Sequence, residues 1–218
     1  MYLDDCIVYG RGEAEFLQNL RSVFERFRLK GLRLKAKKCR FGLKRIEYVG
    51  RVVDQNGLSM SKEKIHSVLN FPLPKNLHLL RSFLGLANYF RQFVPMHSML
   101  VQPMLDMIDH TAAKRSAIVW TPKSTNSFLD TKIAVSRCPL MPFTDEAKPD
   151  TRLYTDASNF GIGGVLFQVV GTEWQPIAFV SKSLTATQIN WSTIQKEAYA
   201  IFFCCTKLTV RSRSIRII

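Results

Sequence analysis

Two sets of carboxylates in the 218-residue chain have the types and positions to do metal chemistry. The first is the adjacent pair Asp4-Asp5, in Tyr2-Leu3-Asp4-Asp5, directly before the short apolar run Ile7 to Tyr9. Two neighbouring carboxylates ahead of a strand are costly to bury unpaired. A divalent ion offsets that cost, and hard oxygen donors suit magnesium, which takes one or two carboxylates plus substrate phosphates. The second set is Asp156, at the end of the strand-like run Arg152 to Asp156, and Glu197, in the first turns of a later helix. A strand carboxylate and a helix carboxylate that share an ion could support two-metal phosphoryl transfer, one ion activating water and the other the leaving oxygen. Each set also has a plain alternative. Asp4-Asp5 could be a solvated acidic turn, and Glu197 could simply complement a helix N-terminus.

Charge points toward a polyanion. The net charge is +14 and unevenly spread: residues 21–51 hold 12 basic and 2 acidic side chains. The last twelve residues, 207–218, add 4 basic and no acidic ones. A clustered excess of this kind is an electrostatic footprint for nucleic acid, the alternative being a solvated basic face without a partner.

The elements that must position these groups follow from periodicity. Phe16, Leu20, Val23, Phe24 and Phe27 recur at helical spacing, with Gly31 placed to end the helix. Ile7 to Tyr9, Ile46 to Val49 and Arg51 to Val53 are short strand candidates, and Asp54-Gln55-Asn56-Gly57 is a turn. Ser61 caps a helix running to about Asn70. A second helical stripe runs through Leu77, Leu80, Phe83, Leu84, Ala87, Phe90 and Phe93, capped by Asn76, and a third helix fits Ser98 to Ile108 around Pro103. Thr121-Pro122 starts another. From about residue 150 the pattern turns to a β-meander: Arg152 to Asp156, Gly161 to Val169 and Pro176 to Val180. A final helix follows Ser192 and Gln195, which have capping-box spacing, with Ile194, Ala198, Ile201 and Phe202 as its apolar face.

Composition excludes other classes. Hydrophobic residues make up 46% and charged residues 22%, values of a globular chain rather than a disordered tail or a disulfide scaffold. The longest apolar run, Ala198 to Cys205, is far short of the roughly 20 residues a membrane helix needs. The N-terminus is acidic where a secretory signal would be basic. Five cysteines without a C-x-x-C pair argue against a zinc site or a disulfide framework and fit a reducing compartment, cytoplasmic or nuclear.

The strings YLDDCIVYG, LRLKAKKCRFG, IEYVGRVVDQNGL, RSFLGLANYFRQFV, VWTPKSTNSF, LYTDASNFGIGGVLFQ, QPIAFVSKSLT and STIQKEAYAI stand in this order along the chain. Together they resemble the Pol polyprotein of gypsy-type long-terminal-repeat retrotransposons, from Tyr2 to about Leu208. The resemblance implies an α+β chain: the C-terminal part of a reverse-transcriptase palm over 1–60, a helical thumb over 61–110, a connection over 111–149 and an incomplete RNase H-like mixed-sheet domain over 150–218. It implies RNA-directed DNA polymerisation (nucleotidyl transfer) and endonucleolytic hydrolysis of RNA in RNA–DNA hybrids. Both depend on Mg2+ or Mn2+, with a hybrid or template–primer duplex and deoxynucleoside triphosphates as partners.

Residue by residue, Asp4 and Asp5 match metal-binding palm aspartates, and Asp156 and Glu197 match the first two carboxylates of the nuclease site. Lys35, Lys37 and Lys38 fall in the palm segment near the incoming triphosphate, and Arg40, in the same segment, is a nucleic-acid-binding candidate. Tyr48 and Gly50 belong to the turn that grips the primer end, and Arg81 and Arg91 to the thumb helix on the duplex.

The pattern also breaks. The fingers, the first half of the palm and its third aspartate would lie upstream of Tyr2. After Leu208 the chain reads TVRSRSIRII in place of the strand and Thr-Asp-His motif that would bring the third nuclease carboxylate. The expectation is a truncated fragment whose isolated chain turns over neither substrate at a useful rate. The alternative is a non-catalytic nucleic-acid-binding remnant.

Overall fold

A computed structural model of the chain describes residues 6–108, 113, 116–142, 150–208 and 216–217. Asp4 and Asp5 lie outside the described residues. The architecture is α+β, as expected. A long helix, α1 (Glu13–Leu29), and a single 3-10 turn at Ala36–Lys38 precede a three-stranded antiparallel meander of β1 (Arg45–Tyr48), β2 (Arg51–Asp54) and β3 (Gly57–Met60). Four helices follow: α2 (Lys62–Leu69), α3 (Leu77–Asn88), α4 (His97–Leu105) and α5 (Pro122–Ser136). A second sheet holds β4 (Thr151–Ala157), β5 (Gly161–Val170) and β6 (Glu173–Ser183), with the short helix α6 (Ala186–Ile189) and the long α7 (Thr193–Leu208) after it. The two-residue strand β7 (Arg216–Ile217) joins β4 in parallel, giving the order β6-β5-β4-β7.

The helix starts are written in local chemistry. The amide of Leu79 donates to Asn76 Oδ1 at 2.9 Å, and that of Lys64 to Ser61 Oγ at 3.4 Å. Thr121 and Ser124 form a reciprocal capping box with Pro122 as the first helical residue. Each such cap is worth about 1 kcal/mol. Ser192 and Gln195 form the expected box at α7: the Ser192 amide donates to Gln195 Oε1 at 2.9 Å. The β2–β3 turn closes through the Asn56 amide on Asp54 Oδ1, 2.8 Å away.

One core lies among the helices. Phe83, Phe90, Phe93, Val94, Met104 and Phe128 are its buried centre, and the Phe83 and Phe128 rings pack tilted with centroids 4.5 Å apart. Burying each such side chain contributes about 1.5–3 kcal/mol. A second core joins the large sheet to α7 through Leu153, Leu166, Cys204 and Leu208, extended by Ile162, Leu184 and Ala200. The two layers meet where α4 lies against β5 and β6. The Ser98 amide donates to Ser181 Oγ at 2.9 Å, and a Cβ on Gly163 would stand 2.4 Å from the Met96 sulfur.

Several expectations are corrected. Ile7 to Tyr9 is not a strand, and Tyr9 is 76% exposed, because no strand among the described residues lies beside it to share its hydrogen bonds. Helix α1 forms as its spacing predicts but buries none of its residues. Helix α3 stops at Asn88, and Phe90 and Phe93 reach the core from the turns beyond it. On α7 the inward face is Lys196, Ala200, Cys204 and Leu208. Ile194, Ala198, Ile201 and Phe202, the face expected to be core, point outward, with Ile194 81% and Phe202 65% exposed.

Candidate carboxylate site and nucleic-acid interface

Strand alternation sorts the side chains of β4. Leu153 and Ala157 pack toward α7, so Asp156 projects from the opposite face, with Arg152 and Tyr154. That is the face on which α4 sits, since Gly163, the cross-strand partner of Asp156, is the glycine under Met96. Asp156 is exposed. Its position is held by the tight turn that follows β4. There Ser158 Oγ accepts from the Gly161 amide at 3.0 Å and the Ser158 amide donates to the Gly161 carbonyl at 2.8 Å.

Glu197 is half-buried at the margin of the inward face of α7, next to the buried Lys196. Helix α7 packs directly on β4 and β5. The two carboxylates therefore come from neighbouring elements but from opposite sides of the sheet, Asp156 on the α4 side and Glu197 on the helix that covers the other. Among the described residues, however, no group of three or more His, Cys, Asp and Glu side chains gathers at metal-binding distance. The donor chemistry fits magnesium or manganese, and the donor number is that of a partial site.

The basic segment is laid open to solvent. Lys35, Lys37, Lys38 and Arg40 are all exposed on and around the 3-10 turn. Arg91 is exposed just past the end of α3, while Arg81 on that helix is half-buried. A row of uncovered cations is what a phosphate backbone needs, and it reads no sequence.

The turn between β1 and β2 holds one of two non-glycine residues with left-handed backbone among the described residues, Val49, the other being Met96. Tyr48 pairs with Arg51, leaving a two-residue loop of Val49 and Gly50 with φ of 50° and 68°. Such a loop favours Asn-Gly, and a β-branched residue in the left-handed region costs about 1–3 kcal/mol. Two contacts from other elements hold it. The hydroxyl of Tyr89, just past α3, donates to the Val49 carbonyl, and the Ser61 amide donates to the Gly50 carbonyl at 3.3 Å. A Cβ on Gly50 would come within 3.0 Å of Tyr89 Oη and 3.1 Å of Lys64 Cε, so a larger residue there would crowd both on a left-handed backbone that favours glycine. The Arg51 guanidinium lies 5.8 Å from the Tyr89 ring centroid and 5.7 Å from that of Phe93. The sequence singled out Tyr48 and Gly50 in this turn and gave no notice of the Tyr89 contact. The Val-Gly loop, where Asn-Gly would be relaxed, was the signal for an outside tether.

The joint between the layers carries a buried histidine. His97 Nε2 sits 3.1 Å from the Ala87 carbonyl, and its pKa is lowered by burial.

Comparison with known proteins gives the same outline. Residues 120–214 match the model of the RNase H-like domain found in reverse transcriptase. The chain is 31% identical over 203 residues to the retrovirus-related Pol polyprotein from transposon 297 of Drosophila melanogaster, covering 92% of this chain and 18% of that protein. It is 29% identical over 201 residues to the transposon Tf2-3 polyprotein of Schizosaccharomyces pombe, covering 92% of this chain and 15% of that one. In fold, it is similar to the foamy viral protease-reverse transcriptase dRH in complex with double-stranded DNA. That match has a TM-score of 0.77 at 22% identity and covers 96% of this chain and 36% of that chain. The same viral enzyme in complex with RNA/DNA hybrid gives a TM-score of 0.76 at 22% identity, covering 96% and 28%. The chain's homologues are thus retrotransposon Pol polyproteins, of which it spans a fragment that includes an RNase H-like domain.

Proposed function

We propose that the chain is a nucleic-acid-binding fragment of a retrotransposon reverse transcriptase and ribonuclease H. Residues 1–60 would be the end of the palm, 61–110 the thumb, 111–149 the connection and 150–218 the RNase H-like unit. The observation that carries this reading is the pairing of an exposed basic segment with a strained, tethered hairpin turn. The first supplies sequence-independent phosphate contacts, and the second presents fixed backbone toward a strand. Solved relatives of the same fold have been captured with double-stranded DNA and with RNA/DNA hybrid, which supports the ligand class.

Asp156 and Glu197 would hold Mg2+ or Mn2+ in the parent nuclease, and Asp4 and Asp5 in the parent polymerase. When bound, such an ion activates the attacking oxygen and stabilises the leaving one. In this chain Asp156 is open to solvent at the end of β4, and Glu197 is half-buried on α7. With two carboxylates, the isolated chain binds hybrid but does not cleave it.

The test is a labelled RNA–DNA hybrid with magnesium or manganese, for the chain and its Asp156→Asn variant. Salt-dependent binding without cleavage is the expected result. Cleavage lost in Asp156→Asn would overturn the inactive assignment and make the chain a nuclease. Absence of binding by folded protein would overturn the whole reading.

A further inference from the structure

We infer that Tyr89 is the positioning residue for the Val49–Gly50 turn, and that its hydroxyl holds this turn in the left-handed conformation in which it meets the nucleic acid. The inference rests on the proposed function and adds a residue to it. Val49 adopts φ 50° although it is β-branched, and with the residue 38% exposed, burial of its own side chain is only a partial offset to the strained backbone. Further compensation comes from outside the hairpin. The Tyr89 O–H donates to the Val49 carbonyl across 40 positions of sequence. Its ring is held in turn by Phe90, edge-on at 5.8 Å between centroids, and by the Arg51 guanidinium.

Tyr89 stands one residue beyond the last residue of α3, the helix that carries Arg81. The bond therefore joins the hairpin and this helix into one rigid clamp. A strand held by both would be gripped at a fixed spacing. Without the tether, Val49 relaxes toward negative φ, and the turn leaves the geometry that the helix face requires.

The test uses the full chain and a labelled RNA–DNA hybrid. Tyr89→Phe keeps the ring, its packing on Phe90 and the stacked Arg51, and removes only the donor. It should weaken hybrid binding roughly fivefold, the worth of one hydrogen bond. Val49→Gly added to Tyr89→Phe should restore the affinity, because glycine enters the left-handed region freely and no longer needs the tether. The HN–Hα coupling of residue 49 should report a left-handed backbone in the wild type and its loss in Tyr89→Phe. Unchanged binding by Tyr89→Phe, or a loss that Val49→Gly does not rescue, would overturn the inference while leaving the proposed function standing. A folded wild-type chain that binds no hybrid would overturn the proposed function first, and this inference with it.

Discussion

The amide of Phe179 in β6 donates to the carbonyl of Gln92, 3.1 Å away, so the large sheet is bonded directly to the turn that leaves α3. Met96 and Met99 pack over Gly163 and Gly161, where a side chain would collide with the Met96 sulfur at 2.4 Å and with Met99 Cγ at 2.8 Å. Gly163→Val should therefore lower stability by about 1–3 kcal/mol through overpacking. It should also loosen the two layers from each other. A drop in the denaturant midpoint, with amide exchange rising in β5 and α4 together, is the expected readout.

Binding should be sensitive to salt in a countable way. Replacing Lys35, Lys37 and Lys38 together with alanine should weaken hybrid binding. It should also flatten the dependence of log K on log salt by up to about 1 for each phosphate left without its cation. Because all three side chains are exposed, the melting temperature should not move. A melting temperature that fell with affinity would assign these lysines a role in the fold instead.

Helix α7 gives a clean contrast between its two faces. Phe202→Lys on the outward face should change stability by less than about 0.5 kcal/mol. Ala200→Leu, on the inward face beside Ile162 and Leu184, should cost about 1–3 kcal/mol by overpacking. Thermal unfolding of the two variants decides which face is core.

Acid should weaken the fold through His97. Burial lowers its pKa below the ordinary 6.5, ahead of the raising effect of its bond to the Ala87 carbonyl. The unfolded chain then binds a proton that the folded chain refuses. Its contribution is fully present above pH 6.5 and is lost as pH falls through the lower, folded value. His97→Gln, which keeps an amide donor for Ala87, should show a shallower fall in melting temperature over that window.

Thiol chemistry should discriminate among the cysteines. Burial raises the Cys138 and Cys204 thiols to about 12, with a further push on Cys204 from neighbouring Cys205. Both stay protonated at neutral pH and should resist alkylation until the protein unfolds. Cys6 is exposed and should react first. Mass mapping after brief iodoacetamide treatment checks the order.

The sequence announced most elements because their signals are local. Asn76, Ser61 and Thr121 cap helices where their chemistry says they must, and the glycine and asparagine turns fall where expected. What stayed hidden depends on residues distant in sequence. Ile194, Ala198, Ile201 and Phe202 form as good a helical stripe as Lys196, Ala200, Cys204 and Leu208. The choice between them is made by Leu153 and Leu166 across the layer, and a buried lysine defeats any reading by hydropathy. The left-handed Val49 and its tether to Tyr89 join residues that no periodicity links. Likewise, Asp156 and Glu197 were legible as carboxylates on a strand and a helix. The sheet face from which Asp156 projects emerged only from the burial of its neighbours.

The joint at Ser98 sets an order of assembly. Its amide reaches Ser181, 83 positions along the chain. Closing a loop of that length costs roughly 4 kcal/mol of chain entropy before the two serines meet. The hairpins β1–β2 and β5–β6 and the capped helices need no such closure, which favours their forming before the joint closes. The two layers meet through a seam that includes the Ser98–Ser181 and Phe179–Gln92 bonds and the packing of Met96 and Met99 over Gly163 and Gly161. Translation delivers the helical layer first, and for as long as the ribosome has not yet released β5 and β6, Met96 and Met99 stand uncovered, a nascent-chain surface for chaperones to shield.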